Sequence, residues 1–452
     1  MKRFPLLAKA VSLGAVVMVL MVGLSMIGGL ASERMGYRAQ AASSVRESLA
    51  GPQTIAGVVA TRRCTSTTEK TVEKEKVKTV ERTDSTIVLK ALPQSARWTT
   101  TSKIEPRYRG LYKVNSFGLD VKSRIEWTDL KALAVPQFKA PVVALSCDVP
   151  QVEFAVSDPR GVRNVTLKGL AGALVVQPNN HPEVFRTGFA AQLPTSVAAL
   201  EAPLALDLAM ELVGLESLGF VPLAVENSVT LKSNWAHPSF LGAFLPNPSD
   251  RKPTAAGFEV SWSVSSLASN ARSQLVKGVA LCDVRIASSH EGCLQSFGVD
   301  FIDPINPASL SERATKYGIL FIVLTFAGIV LLEVLKGEAV HPVQYLLIGA
   351  AMAAFFLLLL SLSEHVAFVW AYVAAAVACV LLLTVYAKAA LGGWKRALPM
   401  SAGLAVLYGV LYLVLQSEQH ALLAGSLLVF AVLAGVMLMT RNVKWGRIHE
   451  GA

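Results

Sequence analysis

The sequence predicts a membrane protein of the α+β class, with one N-terminal transmembrane anchor, a large β-rich, sandwich-like domain and a C-terminal bundle of five transmembrane helices. Three observations predict this fold class. Six apolar stretches are each close to 20 residues long, about 280 mostly polar residues separate the first from the second, and that polar region contains short strand-like runs between Pro, Gly, Asp and Asn.

The six apolar stretches are long enough to cross a bilayer as helices, the form in which a single segment satisfies its own backbone groups in lipid. They lie at residues 6–30, 317–335, 343–361, 366–386, 397–415 and 421–439. We therefore divide the chain into an anchor (1–31), an exported domain (32–315), a five-helix bundle (316–440) and a short tail (441–452).

The first stretch could also be a cleaved signal peptide, because small residues at Gly29 and Ala31 precede Ser32. Its apolar run of nearly 25 residues is longer than a signal peptide requires, which favours an uncleaved anchor. In either case the C-terminal bundle would keep the exported domain attached to the membrane.

Positive charges predict the orientation, because lysine and arginine are retained in cytoplasmic loops. Basic residues flank the predicted inner ends of the spans, at Lys2, Arg3, Lys9, Lys336, Lys388, Lys395, Arg396, Arg441, Lys444 and Arg447. The two short outer loops, 363–365 and 416–420, carry no lysine or arginine. Both termini are therefore expected in the cytoplasm, with the large domain on the other side.

The net charge of +10 does not indicate a nucleic-acid partner. Residues 33–313 carry 31 basic and 27 acidic residues, so most of the excess belongs to the spans and their flanks. The partner that the composition predicts is the lipid bilayer.

The exported domain is predicted to be an antiparallel sandwich in one or two lobes. Runs that mix β-branched, aromatic and polar residues lie at 85–89, 124–127, 152–156, 164–167, 228–231 and 258–264. The charged segment 69–82 has no apolar helical stripe, which predicts a solvated hairpin or edge strand. A helix over 33–49 is expected to continue the first span.

Four cysteines, Cys64, Cys147, Cys282 and Cys293, fall in the exported region and allow three pairings. Cys282 and Cys293 are the favoured disulfide, because they are close in sequence and flank a turn-like stretch. Free, buried thiols are the alternative. Cys379 lies within a span and is interpreted as a small apolar filler.

Catalytic motifs are absent from the sequence, which has no phosphate-binding G-x-x-x-x-G-K-[ST] loop, no H-E-x-x-H zinc pair and no G-x-S-x-G elbow. The dipeptide His290-Glu291 is followed by Gly292 and Cys293, so it cannot supply a second histidine one turn later. The sequence therefore predicts no catalytic residues, no metal and no cofactor.

The densest local signal is an aromatic loop at residues 233–246. Its candidate binding residues are Asn234, Trp235, His237, Pro238, Phe240 and Phe244. Aromatic residues interleaved with Pro and Gly can form a rigid recognition surface. The alternative, which we favour, is that the rings attach the loop to the sandwich core.

A second candidate site lies at the predicted outer mouth of the bundle, where four side chains could meet as a proton-linked or metal site: Glu364, His365, Glu418 and His420. Ordinary capping at helix ends is the simpler interpretation. Glu333, at the inner end of the second span, is expected to be a boundary residue that pairs with Lys336 or His341.

Several segments resemble the CreD family of inner-membrane proteins. They include RATKY at 313–317, HPVQYLLIG at 341–349, LLLLSLSEH at 357–365 and TRNVKW at 440–445. Residues 33–38, 51–53 and 234–240 resemble the same family. Segments 171–219 and 280–296 do not, so a disulfide in the second of these would be a local feature.

The resemblance implies a bacterial, multi-pass cell-envelope integrity protein whose main domain is periplasmic, with no catalytic residues to transfer. It also implies an association with a two-component regulatory system that responds to growth conditions or envelope stress, and with altered tolerance of colicins and β-lactams. We therefore predict a non-enzymatic protein that contacts envelope proteins or lipids. A transporter or permease subunit is the alternative; the nearly uncharged centres of the last four spans weigh against it. A stress sensor that signals inward is a third interpretation; the sequence has no cytoplasmic domain large enough to transmit the signal, so the sensor would need a separate partner in the membrane.

Overall fold

The computed structural model describes residues 5–74, 77–110, 112–135, 142–170, 172–179, 184–185, 187–194, 200–254, 256–287, 292–301, 307–336, 340–390, 393–416 and 421–441. The chain forms two compact units. One combines Met1–Gln40 with Ile305–Ala452, and the other is Ala41–Pro304.

Helix α1, Pro5–Ser48, contains both the predicted first span and the predicted helix that follows it. No Pro interrupts the helix after its first residue, and Gly51-Pro52 follow its end. The boundary between the two units falls within this helix.

Among the residues that the structure describes, seventeen strands build the second unit. They are β1 (Gln53–Lys74), β2 (Val77–Ala91), β3 (Ser95–Arg109), β4 (Tyr112–Trp127), β5 (Val142–Cys147), β6 (Gln151–Val156), β7 (Val162–Gly169), β8 (Gly172–Leu174), β9 (Val176–Pro178), β10 (Phe189–Gln192), β11 (Leu204–Leu215), β12 (Ser217–Val221), β13 (Glu226–Ser233), β14 (Ser239–Gly242), β15 (Arg251–Thr254), β16 (Gly257–Ser265) and β17 (Phe297–Asp300). Short helices α2 (Ala271–Val276) and α3 (Val284–Ala287) precede β17. All six predicted strand runs fall within these strands.

The strands form two sheets. One has nine strands in the order β14-β17-β12-β1-β6-β10-β9, with β2 and β5 also paired to β1; the other has eight in the order β15-β16-β13-β3-β4-β11-β7-β8. Most of the strand pairs are antiparallel, as the sequence predicts, but β1 pairs with β12, and β3 with β13, in parallel. Parallel neighbours need long connections, and the many intervening strands supply them here.

Alternation along the strands places one face of each sheet in a shared core. In β3 and β4, buried and exposed residues alternate over most of the length. Trp98, Phe117 and Ile125 from the eight-stranded sheet belong to the same buried cluster as Val58 and Phe220 from the nine-stranded sheet. Burial of each such side chain stabilises the fold by about 1.5–3 kcal/mol.

The segment predicted as a hairpin or edge strand lies in the long β1–β2 hairpin, whose register runs from Ala60 opposite Ala91 to Lys74 opposite Val77. Arg82 and Glu69 form an ion pair across it, 2.6 Å apart. Opposite charges on facing strands favour this pairing over others.

The first unit contains the C-terminal helices α4 (Pro307–Lys336), α5 (Pro342–Ser363), α6 (Phe368–Ala390), α7 (Trp394–Gln416) and α8 (Ala421–Thr440). Helices α1 and α4–α7 contain segments long and apolar enough to cross a membrane. In α8 the apolar stretch among the described residues is the shorter Gly425–Gly435. Buried aromatic residues, including Tyr345, Phe355, Tyr372 and Tyr408, pack in the core of this unit.

Candidate functional site

The aromatic loop, residues 233–246, is attached to the sandwich at its start. The backbone N–H of Ile104 donates to Asn234 Oδ1 (2.7 Å), and Asn234 Nδ2 donates back to the Ile104 carbonyl (3.3 Å). Trp235 Nε1 donates to the carbonyl of His237 (2.8 Å), while Lys113 lies 5.9 Å from the Trp235 ring. The asparagine thus links the loop to strand β3.

Phe240 and Phe244 are half-buried and contact aromatic residues of the core. Phe240 makes edge-on contacts with Phe258 and Trp262 at centroid distances of 5.9 and 5.8 Å, and Phe244 contacts Phe297 at 6.1 Å. With Trp235 they pack against the main buried cluster, and Pro238 is half-buried. These contacts agree with the alternative in which the aromatic rings attach the loop to the sandwich core.

The predicted outer-mouth cluster is described only in part. Glu364 pairs with Arg34 of α1, with Oε1 and Nε 3.4 Å apart, and His365 Nδ1 lies 3.2 Å from the carbonyl of Ser361. Glu418 and His420 lie outside the described residues. Glu364 therefore joins α1 to the end of α5.

Two disulfides are present in the sandwich. Cys282 bonds to Cys293, 11 residues later, which is the pairing that the sequence favours. Cys64 bonds to Cys147, 83 residues later, because β5 places Cys147 directly opposite Cys64 on β1. Cys379, in the bundle, is a buried free thiol.

A charged cluster that the sequence did not reveal lies in the sandwich. Arg285 Nη1 lies 3.0 Å from Glu216 Oε2, and its Nε donates to Asp283 Oδ2 at 3.0 Å. Arg46, in the last turn of α1, lies 3.5 Å from Glu216, and Ser217 Oγ donates to Asp283 at 2.8 Å. The cluster therefore joins α1, the start of β12 and α3.

Asp300, at the end of β17, belongs to the same electrostatic environment and is 7% exposed. The pKa of its carboxyl is raised to about 6, chiefly by burial and also by the nearby Glu216 and Asp283, against the opposing effect of Arg285. Its Oδ1 atom is buried without a hydrogen-bond partner among the described residues. Asp300 thus keeps its proton to a higher pH than an ordinary aspartate does.

No group of three or more His, Cys, Asp or Glu residues in the described ranges is arranged to hold a metal ion. The ion pairs and hydrogen bonds described above join protein groups to one another and stabilise the fold.

The sequence model of the family described as "Inner membrane protein CreD" matches residues 5–446. The Inner membrane protein CreD of Escherichia coli (strain K12) is 33% identical over 449 residues, which cover 98% of this chain and 95% of the relative. The chain belongs to the CreD family. It is therefore a multi-pass inner-membrane protein, as its apolar helices require.

In this CreD-family chain the expected partners of Glu333 were wrong. Its carboxylate pairs with Lys9 of α1 and accepts a hydrogen bond from the Tyr345 hydroxyl at 3.0 Å. His341 instead caps α5, where its Nδ1 accepts from the backbone N–H of Val343 (3.3 Å). Sequence distance misled the prediction, because Lys9 is 324 residues away.

Proposed function

We propose that this CreD-family protein is a non-enzymatic envelope-integrity protein whose β-sandwich lies in the periplasm and whose termini are cytoplasmic. The observation that carries the proposal is the pair of disulfides, Cys64–Cys147 and Cys282–Cys293, both in the sandwich unit. Disulfides persist in the oxidising periplasm and are rare in the cytosol. The positive charges at the opposite ends of the spans support the same orientation.

The proposed role is tolerance of envelope stress, including the action of colicins and β-lactams. A cross-linked sandwich with a continuous buried core presents a fixed surface, which suits a domain that binds envelope proteins or lipids. The aromatic loop supports such a surface through its packing, and its exposed residues are those left for contact, such as His237 and Leu245.

The orientation is tested by cysteine labelling of intact cells with a membrane-impermeant maleimide, in a Cys379→Ser background. Leu245 is 62% exposed in the sandwich, and Lys395 is predicted in an inner loop. We expect Leu245→Cys to react in intact cells and Lys395→Cys to react only after permeabilisation. The reverse pattern would contradict the proposed orientation.

The role is tested by complementation of a deletion strain. The wild-type chain should restore survival under colicin and β-lactam challenge, whereas a variant without the Cys64–Cys147 bond should restore less. The matched control is Cys379→Ser, which removes the buried thiol of the bundle and leaves both disulfides intact. If the deletion strain survives equally well with and without the wild-type chain, the proposed role is wrong. The proposed topology does not depend on this result.

A further inference from the structure

A cleft of about 670 Å³ opens at one edge of the sandwich. Here the chain passes from β8, an edge strand of the eight-stranded sheet, to β9, an edge strand of the nine-stranded sheet. Four carboxamide side chains line it, and we call it the amide cleft: Gln151, Gln177, Asn179 and Gln192. Leu174 and Val175 add apolar surface. The volume lies within the range of about 300–1,000 Å³ typical of small-ligand sites.

Strand pairing sets the spacing of the carboxamides. Gln192 of β10 lies directly opposite Gln151 of β6, and Gln177 of β9 lies opposite Ala190 of β10. Residues at positions i and i+2 of a strand share a face, so Gln192 and Ala190 face the same side. Because the Ala190 side chain is only a methyl group, it leaves a space between the carboxamides of Gln177 and Gln192.

A buried carboxylate beneath the cleft orients two of the carboxamides. Glu153 is 2% exposed, and its oxygens accept hydrogen bonds from Gln151 Nε2 at 3.1 Å and Asn179 Nδ2 at 2.7 Å. Thr61 Oγ1 donates to the same carboxylate at 2.6 Å. A fixed rotamer reduces the conformational entropy that a side chain loses when it binds a ligand.

The chemistry of the lining restricts the ligand. Every described lining side chain is uncharged, and the one carboxylate beneath them, Glu153, is already engaged by three hydrogen bonds, so these residues offer no opposite charge to a phosphate or carboxylate ligand. The lining residues that the structure describes include no aromatic ring, the group that suits the apolar face of a sugar. Carboxamides both donate and accept hydrogen bonds, as the peptide backbone does.

We propose that the amide cleft binds a short, uncharged peptide segment with small side chains, through hydrogen bonds from Gln151, Gln177 and Gln192 to its backbone. The small side chains would contact Leu174 and Val175. This ligand class is compatible with the proposed periplasmic role but does not depend on it.

Recognition by side chains fits the two edges better than the addition of a strand. Strands β8 and β9 have three residues each, and β9 ends with Pro178, which has no N–H to donate. Short strands and proline are features that discourage pairing at a sheet edge. The carboxamides therefore provide the hydrogen bonds that the edges do not.

The test is saturation-transfer NMR on the full chain in lipid nanodiscs, with empty nanodiscs as the background. The probe is the capped peptide acetyl-Ala-Ala-Val-Ala-amide; chitotetraose and acetyl-tetraglutamyl-amide are comparison probes. We expect transfer to the alanine and valine methyl groups and much less to the other two probes. Loss of the Gln151 and Gln192 hydrogen bonds in Gln151→Leu/Gln192→Leu should weaken the affinity about tenfold.

Thr99→Val is the matched control, because Thr99 lies on the exposed face of the other sheet. Glu153→Gln keeps one oxygen that can accept a hydrogen bond, so it should weaken peptide binding less than Glu153→Leu does. Both variants are compared at temperatures where tryptophan fluorescence shows that the domain is folded. Any of three results would overturn the proposal. They are no saturation transfer to the capped peptide, stronger transfer to either comparison probe, and equal peptide binding by the wild type and the folded Gln151→Leu/Gln192→Leu variant. Cysteine labelling is unaffected by these variants, so the two proposals fail independently.

Discussion

Replacement of Asp300 by Asn should make the sandwich more stable at neutral pH and remove a pH dependence. The carboxyl has a pKa of about 6 in the folded protein against an ordinary 3.8, because it is buried near Glu216 and Asp283 with Arg285 as the opposing charge. That difference corresponds to about 3 kcal/mol of preference for the neutral form. Asn is neutral at every pH and has nearly the same shape.

The sign follows from proton binding. Between about pH 4 and pH 6 the folded state holds a proton on Asp300 that the unfolded state has released. The contribution of Asp300 to the free energy of unfolding therefore falls as pH rises through this window and is constant above it. Asp300→Asn should lack this fall. Above pH 6 it should exceed the wild type by up to about 3 kcal/mol.

The assay is urea unfolding of the full chain in detergent micelles from pH 4 to pH 8, followed by the fluorescence of buried tryptophans such as Trp98, Trp127 and Trp262. Subtracting the variant curve from the wild-type curve cancels the titration of all other groups. Asp207→Asn is the control, because the Asp207 side chain is 61% exposed. If Asp300→Asn and the wild type show parallel pH curves, the assignment to Asp300 is wrong.

Three further predictions concern packing, cross-links and the membrane unit. Phe240→Ala should destabilise the sandwich by about 2 kcal/mol in the same urea assay, because its half-buried ring contacts two other rings; no change would mean that the loop is not attached through it. Removal of Cys64–Cys147 by paired serine substitutions should cost about 4.5 kcal/mol, against about 3 kcal/mol for the shorter second disulfide, since the bonds close loops of 83 and 11 residues. Equal losses would refute the entropic reasoning. Lys9→Met should lower the thermal stability of the detergent-solubilised chain, and adding Glu333→Gln should restore much of it, because the single change leaves a partly buried carboxylate without its cation; additive losses would contradict the pairing.

The features that could be predicted from sequence are those set by local patterns. Apolar length gave the spans, and alternation with turn residues gave six strand runs that lie within observed strands. Cys282 and Cys293 are close in sequence, so their pairing needed no knowledge of the fold.

The missed features depend on contacts between distant segments. Nothing near Cys64 indicates that β5 will place Cys147 opposite it, and Glu216 meets Arg285 only because α3 packs beside β12. The same holds for Glu333 and Lys9, and for carboxamides aligned by strand register. Register and long-range pairing are properties of the completed fold, which single-sequence patterns do not encode.

The parallel pairing of β1 with β12, and of β3 with β13, has a consequence for biogenesis. Each sheet joins strands from the beginning of the domain to strands that are synthesised about 130 to 165 residues later. Under the proposed topology, neither sheet can close until residues 217–233 have emerged on the far side of the membrane. The early hairpins must therefore wait with open edges during translocation, and periplasmic chaperones that cover such edges should associate with the nascent domain.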